Sequence, residues 1–482
     1  MQNKLAKRVK LKLKLLILDV LFYVHSYLRL VNLKKENMGK FCLIVCIISL
    51  GVACSKAPVT TVSVHINGKA VGDPSLYTPD STYRLALDST GSAAVILADG
   101  FKAGYAELRY GLMKLPLYLE PDKSFDVSLG FKGRKVMPEF AGTGAAVNEY
   151  LNKQHREYPD FKLDETQFIQ VLEDMEKAEY ARLDSLGFSD EFMNIEKQRL
   201  HYLIYNNFKL YPGYHAYYTR QEDFEPSEIY YNRMRSLIRE NESLLVLDEY
   251  RSLLAAFVQT YSTKDLETQN ALAHLKAKLD YIDKNMNNPA VVSFLVNRFV
   301  TDYVSRAGID DLPEFEAFYN AKVISPEDRA KFKEICAGWA KVKKGQASPA
   351  FRFADIDGKE VGLQDFAGKY VMIDVWATWC PPCRAEIPAL KKLEQQFKDK
   401  NIVFVSISCD QKIADWEKMV REDGFGGIQL HNGGDEEFMN AYRIRSIPRF
   451  ILLDREGNII SANMTRPSNP ETVKTLENLE GI

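Results

Sequence analysis

Apolar residues alternate with polar ones at Val62, Val64 and Ile66 ahead of Asn67-Gly68, again at Tyr83, Leu85 and Leu87, and again at Phe125, Val127 and Leu129 after Pro121-Asp122. A period of two places those side chains on one face of a strand, and turn-forming pairs separate the runs. The pattern predicts an antiparallel β-sandwich over residues 55–144. From residue 145 the period lengthens to that of a helix. Asp164-Glu165-Thr166-Gln167 reads as a capping box, and Ser189, Asn288-Pro289 and Ser325-Pro326 read as helix starts, which predicts a helical domain over residues 145–345. Its tyrosines, Tyr202, Tyr205, Tyr211, Tyr214, Tyr217 and Tyr218, are read as packing of that domain rather than as a recognition surface. Lys341–Gln346, with Gly345, reads as a linker.

Beyond the linker, helical and extended patterns alternate. Asp357-Gly358 is a hairpin turn signal, Tyr370–Trp376 is an apolar run of the kind buried in a parallel sheet, and a helix is expected from Pro381 to about Lys398. A second apolar run, Ile402–Ser408, precedes an amphipathic helix through Trp416 and Met419. Phe450–Leu453 then turns at Asp454–Gly457 into Asn458–Ile460, and Asn469 caps a last helix with Pro470 at its first position. This order predicts an α/β layer fold over residues 346–482.

The chemistry-bearing motif is Cys380-Pro381-Pro382-Cys383, directly after the Tyr370–Trp376 strand and its Ala377-Thr378-Trp379 extension. Two cysteines three apart in the first turn of a helix can form a disulfide. The first sits where orphan N–H groups and the positive end of the helix dipole favour thiolate over thiol. Pro381 suits the first helical position, where a missing N–H costs nothing. The same spacing also serves zinc, but zinc needs a second ligand pair, and no further CxxC, CxxH or HxxxH is present. Redox chemistry is the expectation, with no metal and no cofactor. Asp374, inside an apolar strand, is expected to be buried with a raised pKa and to exchange protons near neutrality. Glu386 is read as a solvated helix residue, and Pro388 as a structural kink.

The approach Gly368–Cys380, the continuation Cys383-Arg384-Ala385-Glu386-Ile387-Pro388, the upstream Ser348-Pro349-Ala350-Phe351 and the distal Ser446-Ile447-Pro448 together resemble the thioredoxin superfamily. The resemblance is closest to its membrane-associated branch, typified by TlpA and ResA. It implies a thioredoxin fold over residues 346–482 and disulfide exchange, with Cys380 as attacking thiol and Cys383 as resolving thiol. It further implies a cis Pro448 facing the cysteine pair, with Trp379, Ile447 and Pro448 at the substrate. It also places an acid beneath the second cysteine, matched here by Asp374.

The remaining features bear on location and partners. The chain has 482 residues, seven cysteines and a formal net charge of −2, and no basic patch with interleaved aromatics, so nucleic acid is not an expected partner. Phe41–Ala53 is too short to span a bilayer and reads as a signal-peptide core. It resembles a bacterial lipoprotein signal with Cys54 as the acylated residue, and the start is expected at Met38, leaving residues 1–54 as upstream and signal segment. Cys336 and Cys409 are read as small core residues. The expectation is a periplasm-facing, membrane-anchored lipoprotein of the cell envelope that reduces disulfides of exported partner proteins and is recharged by an upstream thiol donor. The alternatives are a surface binding protein carrying a passenger redox domain, discriminated by retention of a partner on the first two domains, and a thiol peroxidase, discriminated by peroxide turnover.

Overall fold

The computed structural model describes residues 59–482 apart from 69–71, 99, 133–134, 154–156 and 269. The expectations for Met38, for the Phe41–Ala53 run and for Cys54 lie outside the described residues. The chain divides into two compact units, one ending at Arg156 and the other running from Glu157 to Ile482.

Among its described residues the first unit holds eight strands: β1 (Thr61–Ile66), β2 (Ser75–Tyr77), β3 (Thr82–Arg84), β4 (Ser92–Ile96), β5 (Gly104–Tyr110), β6 (Met113–Leu119), β7 (Phe125–Lys132) and β8 (Lys135–Gly142), followed by α1 (Ala145–Asn152). They form two four-stranded sheets, ordered β4-β1-β7-β8 and β3-β2-β5-β6. The alternating residues Val62, Val64 and Ile66 share one buried core with Leu76, Leu108, Leu117, Phe125, Val127 and Leu129, drawn from both sheets. One pairing departs from the antiparallel expectation: β1 and β7 run parallel, Val62 opposite Phe125 and Ile66 opposite Leu129. A parallel pair needs a long crossover, and here the whole second sheet lies between the two strands in sequence.

The second unit begins with helices α2 (Glu165–Asp184), α3 (Asp190–Tyr205), α4 (Tyr211–Thr219), α5 (Glu228–Leu237), α6 (Asp248–Thr263), α7 (Ala271–Asn285), α8 (Pro289–Ala307), α9 (Glu316–Lys322) and α10 (Pro326–Ala340). Their starts follow the sequence. Asp164, Ser189, Asn288 and Ser325 each accept a hydrogen bond from a first-turn N–H, which satisfies donors that have no partner inside the helix. The tyrosine stretch divides: Tyr202, Tyr205 and Tyr211 are buried, whereas Tyr217 is 75% exposed and Tyr214 and Tyr218 are partly so. Packing therefore accounts for the first three, and in part for Tyr214, whose ring lies 5.0 Å from that of Phe161. Among the described residues no helix is long and apolar enough to cross a membrane.

The chain then builds a seven-stranded sheet ordered β10-β9-β13-β12-β11-β14-β15. Its elements are β9 (Arg352–Asp355), β10 (Glu360–Gly362), β11 (Tyr370–Trp376), α11 (Pro381–Gln396), β12 (Ile402–Ser408), α12 (Ile413–Asp423), β13 (Ile428–His431), α13 (Glu436–Ala441), β14 (Arg449–Leu453), β15 (Ile459–Met464) and α14 (Pro470–Glu477). β11 pairs in parallel with β12 and antiparallel with β14. Every one of its residues is buried, as a central strand covered on both faces requires. Tyr370 and Met372 pack against Leu390, Leu393 and Phe397 at α11 and Leu476 of α14. Each such fully buried apolar side chain contributes about 1.5–3 kcal/mol. This packing fixes α11 over the end of β11, where the cysteines lie.

Candidate active site

β11 ends at Trp376, and four residues later Cys380 is the N-cap of α11, with Pro381 and Pro382 filling the first two helical positions. Cys380 and Cys383 form a disulfide, with Cα atoms 5.3 Å apart. Neither proline has an N–H, so the first donor the helix offers is that of Cys383, which donates to Cys380 Sγ at 3.2 Å. Both cysteines are only 4% exposed and lie in an apolar cluster with Trp376, Ala377, Trp416 and Val420. Trp379 is 65% exposed. It borders, with Cys380, Ile447 and Cys409, a groove of about 580 Å³ beside the disulfide. The Ile447-Pro448 bond is cis, and Ile447 packs against the disulfide cluster.

Asp374 lies two residues before Trp376 on β11, and the period of two puts it on the face shared with Met372, beneath α11. Burial pushes its carboxyl up to about 8, and the charges of Glu394 and Glu386 push the same way. Its Oδ1 has no hydrogen-bond partner among the described residues. Glu394, on α11, is itself pushed up to about 7 by burial, against the pull of Lys391.

Two acids that hold this region together were not legible in the sequence. Glu386 is buried rather than solvated. It accepts from Ser468 N at 3.0 Å and Ser468 Oγ at 2.9 Å, because the chain leading into α14 folds back over α11. Asp410, also buried, accepts from Thr378 N at 3.0 Å, Thr378 Oγ1 at 2.7 Å and Ser408 Oγ at 2.7 Å. It therefore ties the end of β12 to the segment that delivers Trp379 and Cys380. Such charge-assisted bonds are about twice as strong as neutral ones. A Ser-x-Asp at the end of an apolar run signals the Ser408 contact, whereas the two Thr378 bonds come from a segment far along the chain. Cys409 is half-buried and packs against the cluster around the disulfide, and its thiol is pushed up to about 11 by burial and by Asp410. Cys336, on α10, is also half-buried, with its thiol raised by burial.

The Redoxin family model matches residues 343–479. The chain is similar to the thiol-disulfide oxidoreductase ResA of Bacillus thuringiensis subsp. konkukian, at 30% identity over 121 residues, which is 25% of this chain and 69% of that protein. It is also similar to the thioredoxin-like protein YneN of Bacillus subtilis, at 33% identity over 140 residues, 28% of this chain and 80% of that one. Among solved structures it is similar to a candidate thiol-disulfide oxidoreductase from Bacteroides vulgatus determined in solution, at 57% identity over 29% of this chain and 95% of that chain, with a TM-score of 0.27. A C-terminal sheet with a helix-capping Cys-Pro-Pro-Cys disulfide, and sequence identity across two thirds or more of ResA and YneN, lead to one conclusion: the chain belongs to the thioredoxin-like thiol-disulfide oxidoreductases of the ResA type.

Proposed function

We propose that this enzyme reduces disulfides of exported partner proteins, with Cys380 as the attacking thiol and Cys383 as the resolving thiol. The observation that carries the reading is the Cys380–Cys383 disulfide at the start of α11, open on one side to a groove that also reaches Ile447. In the reduced enzyme the Cys380 thiolate attacks a partner disulfide. A bond forms between Cys380 and one partner sulfur while the partner's own S–S bond breaks, and the departing partner thiolate takes a proton. Asp374, in the fraction ionised as pH nears its raised value of about 8, then accepts the Cys383 proton, and the Cys383 thiolate attacks Cys380 Sγ. The mixed disulfide breaks, a second proton completes the partner dithiol, and two electrons have passed from enzyme to partner. A thiol donor returns the enzyme to its reduced state.

The reducing direction is supported by the two prolines, which withhold two N–H groups from the Cys380 sulfur and so limit its acidity. Trp379, Ile447 and Pro448 serve as the docking wall. We read the two N-terminal sheets as leaves of a sandwich over 55–144, the helices over 145–345 as a second domain and 346–482 as the redox domain, the whole held at the membrane of the cell envelope by acylated Cys54. The test is trapping. Cys383→Ser should accumulate partners in mixed disulfides that run as high-mass species on non-reducing gels, and Cys380→Ser should accumulate none. Equal trapping by the two variants would reverse or abolish the role assignment.

A further inference from the structure

Among the residues that line the groove beside the disulfide is a buried polar side chain that the redox chemistry does not use. Asn432, directly after β13, borders the groove and is only 5% exposed. Its backbone N–H donates to Ser408 O at 2.9 Å, and its Oδ1 accepts from the Gly434 N–H at 2.9 Å. The second bond fixes which end of the amide is which. The oxygen is held by the turn, and Nδ2 meets no acceptor among the described residues. A buried donor left in that state costs about 1–3 kcal/mol, and such a group calls for an explanation.

Resting on the redox reading above, we propose that Asn432 is a substrate-binding residue that donates from Nδ2 to a main-chain carbonyl of an extended polypeptide lying in the groove across Cys380. The carbonyl is the acceptor that every polypeptide presents whatever its sequence. A neutral amide suits it better than it suits an anion. The walls contributed by Trp379, Met439 and Ile444 accept apolar side chains, and the cation Arg445 is outnumbered by Asp435 and Glu436, so no net positive charge selects an anionic ligand. Asn432 lines the groove, and its Nδ2 is closed to solvent. The turn that follows it is Gly433-Gly434, with φ of +64° and +81° and open space at both Cβ positions, and Gly434 itself lines the groove. Glycine tolerates these angles without strain and leaves nothing to clash, so the wall can give as a partner chain enters. The specificity is then for peptide disulfides over small ones.

The test uses the full chain with dithiothreitol as thiol donor and two substrates: a peptide with one internal disulfide, and bis(2-hydroxyethyl) disulfide, which has no amide. Asn432→Asp keeps the oxygen that receives Gly434 and replaces the donor with a second acceptor. The ratio of kcat/KM for the peptide to that for the small disulfide should fall about tenfold, mostly through KM, as expected for losing one net hydrogen bond. An unchanged ratio would overturn the proposal. A measurement independent of the variant's folding uses the wild-type enzyme and peptides in which successive carbonyls are replaced by methylene. A drop of about tenfold at one position supports the assignment, and a flat profile overturns it. Failure of the redox reading is distinguishable, since wild type would then reduce neither disulfide.

Discussion

Asp374 is a carboxyl placed where ionisation is opposed by burial and by two neighbouring acids, so Asp374→Asn should stabilise the oxidised protein at neutral pH. Its pKa moves from 3.8 to about 8. That is roughly four units at 1.36 kcal/mol each, so the ceiling on the effect is on the order of 5 kcal/mol. The sign follows from proton counts. Below the unfolded value both states carry the proton and nothing is lost. Between the unfolded and the folded value the unfolded chain releases the proton while the folded chain holds it, so stability falls as pH rises. Above the folded value both are ionised and the loss is complete. At pH 7 most of the ceiling applies, and local relaxation with the new amide's own need for partners brings the expected gain to about 2–4 kcal/mol. The assay is denaturant unfolding of oxidised wild type and variant across pH 4 to 9. The difference between them should be small at the acid end, widen through neutrality and level off above about pH 8. Glu394, raised to about 7, titrates in the same window in both proteins and largely cancels in that difference. Parallel stability curves from pH 5 to 9 would refute the placement of Asp374 as a buried, protonated acid.

Asp410→Ala should lower stability by about 3 kcal/mol, because it strips the carboxylate from the Thr378 and Ser408 donors that it joins, and should lower kcat/KM about tenfold by releasing the segment before Cys380; thermal unfolding and a disulfide-reduction assay read the two effects. Glu386→Gln should lower the Asp374 pKa, since one of the charges that raises it is removed; carboxyl NMR titration of Asp374 in wild type and variant checks the direction, and an upward shift would contradict it.

Features set by near neighbours along the chain are legible in the sequence. Asp164, Ser189, Asn288, Ser325 and Asn469 cap helices because a short polar side chain meets an N–H two or three residues on. The Cys380 N-cap and its two prolines belong to the same class, as does the hairpin of β9 and β10. Features that run against the sequence pattern depend on partners far along the chain. The β1–β7 pairing joins residues with a complete sheet between them, and alternation of apolar residues carries no information on strand direction. Glu386 presents the same helical spacing whether it faces water or Ser468, and only the return of the chain into α14 decides between them.

The same distinction separates the chemistry of the site from its selectivity. The sulfur chemistry is local: it needs a strand, a tight connection and the first turn of one helix, and all three are encoded between Tyr370 and Cys383. What surrounds the sulfurs is assembled from afar, Asp410 from the end of β12, Glu394 from the last turn of α11, Asn432 from after β13 and Ile447 from before β14. A change at any of these leaves the Cys-Pro-Pro-Cys motif intact while altering the proton affinity beneath it or the wall beside it. Sequence similarity centred on the motif therefore identifies the reaction, while the wall of the groove is set elsewhere, in the loops after β12 and β13, where this chain places Cys409 and Asn432.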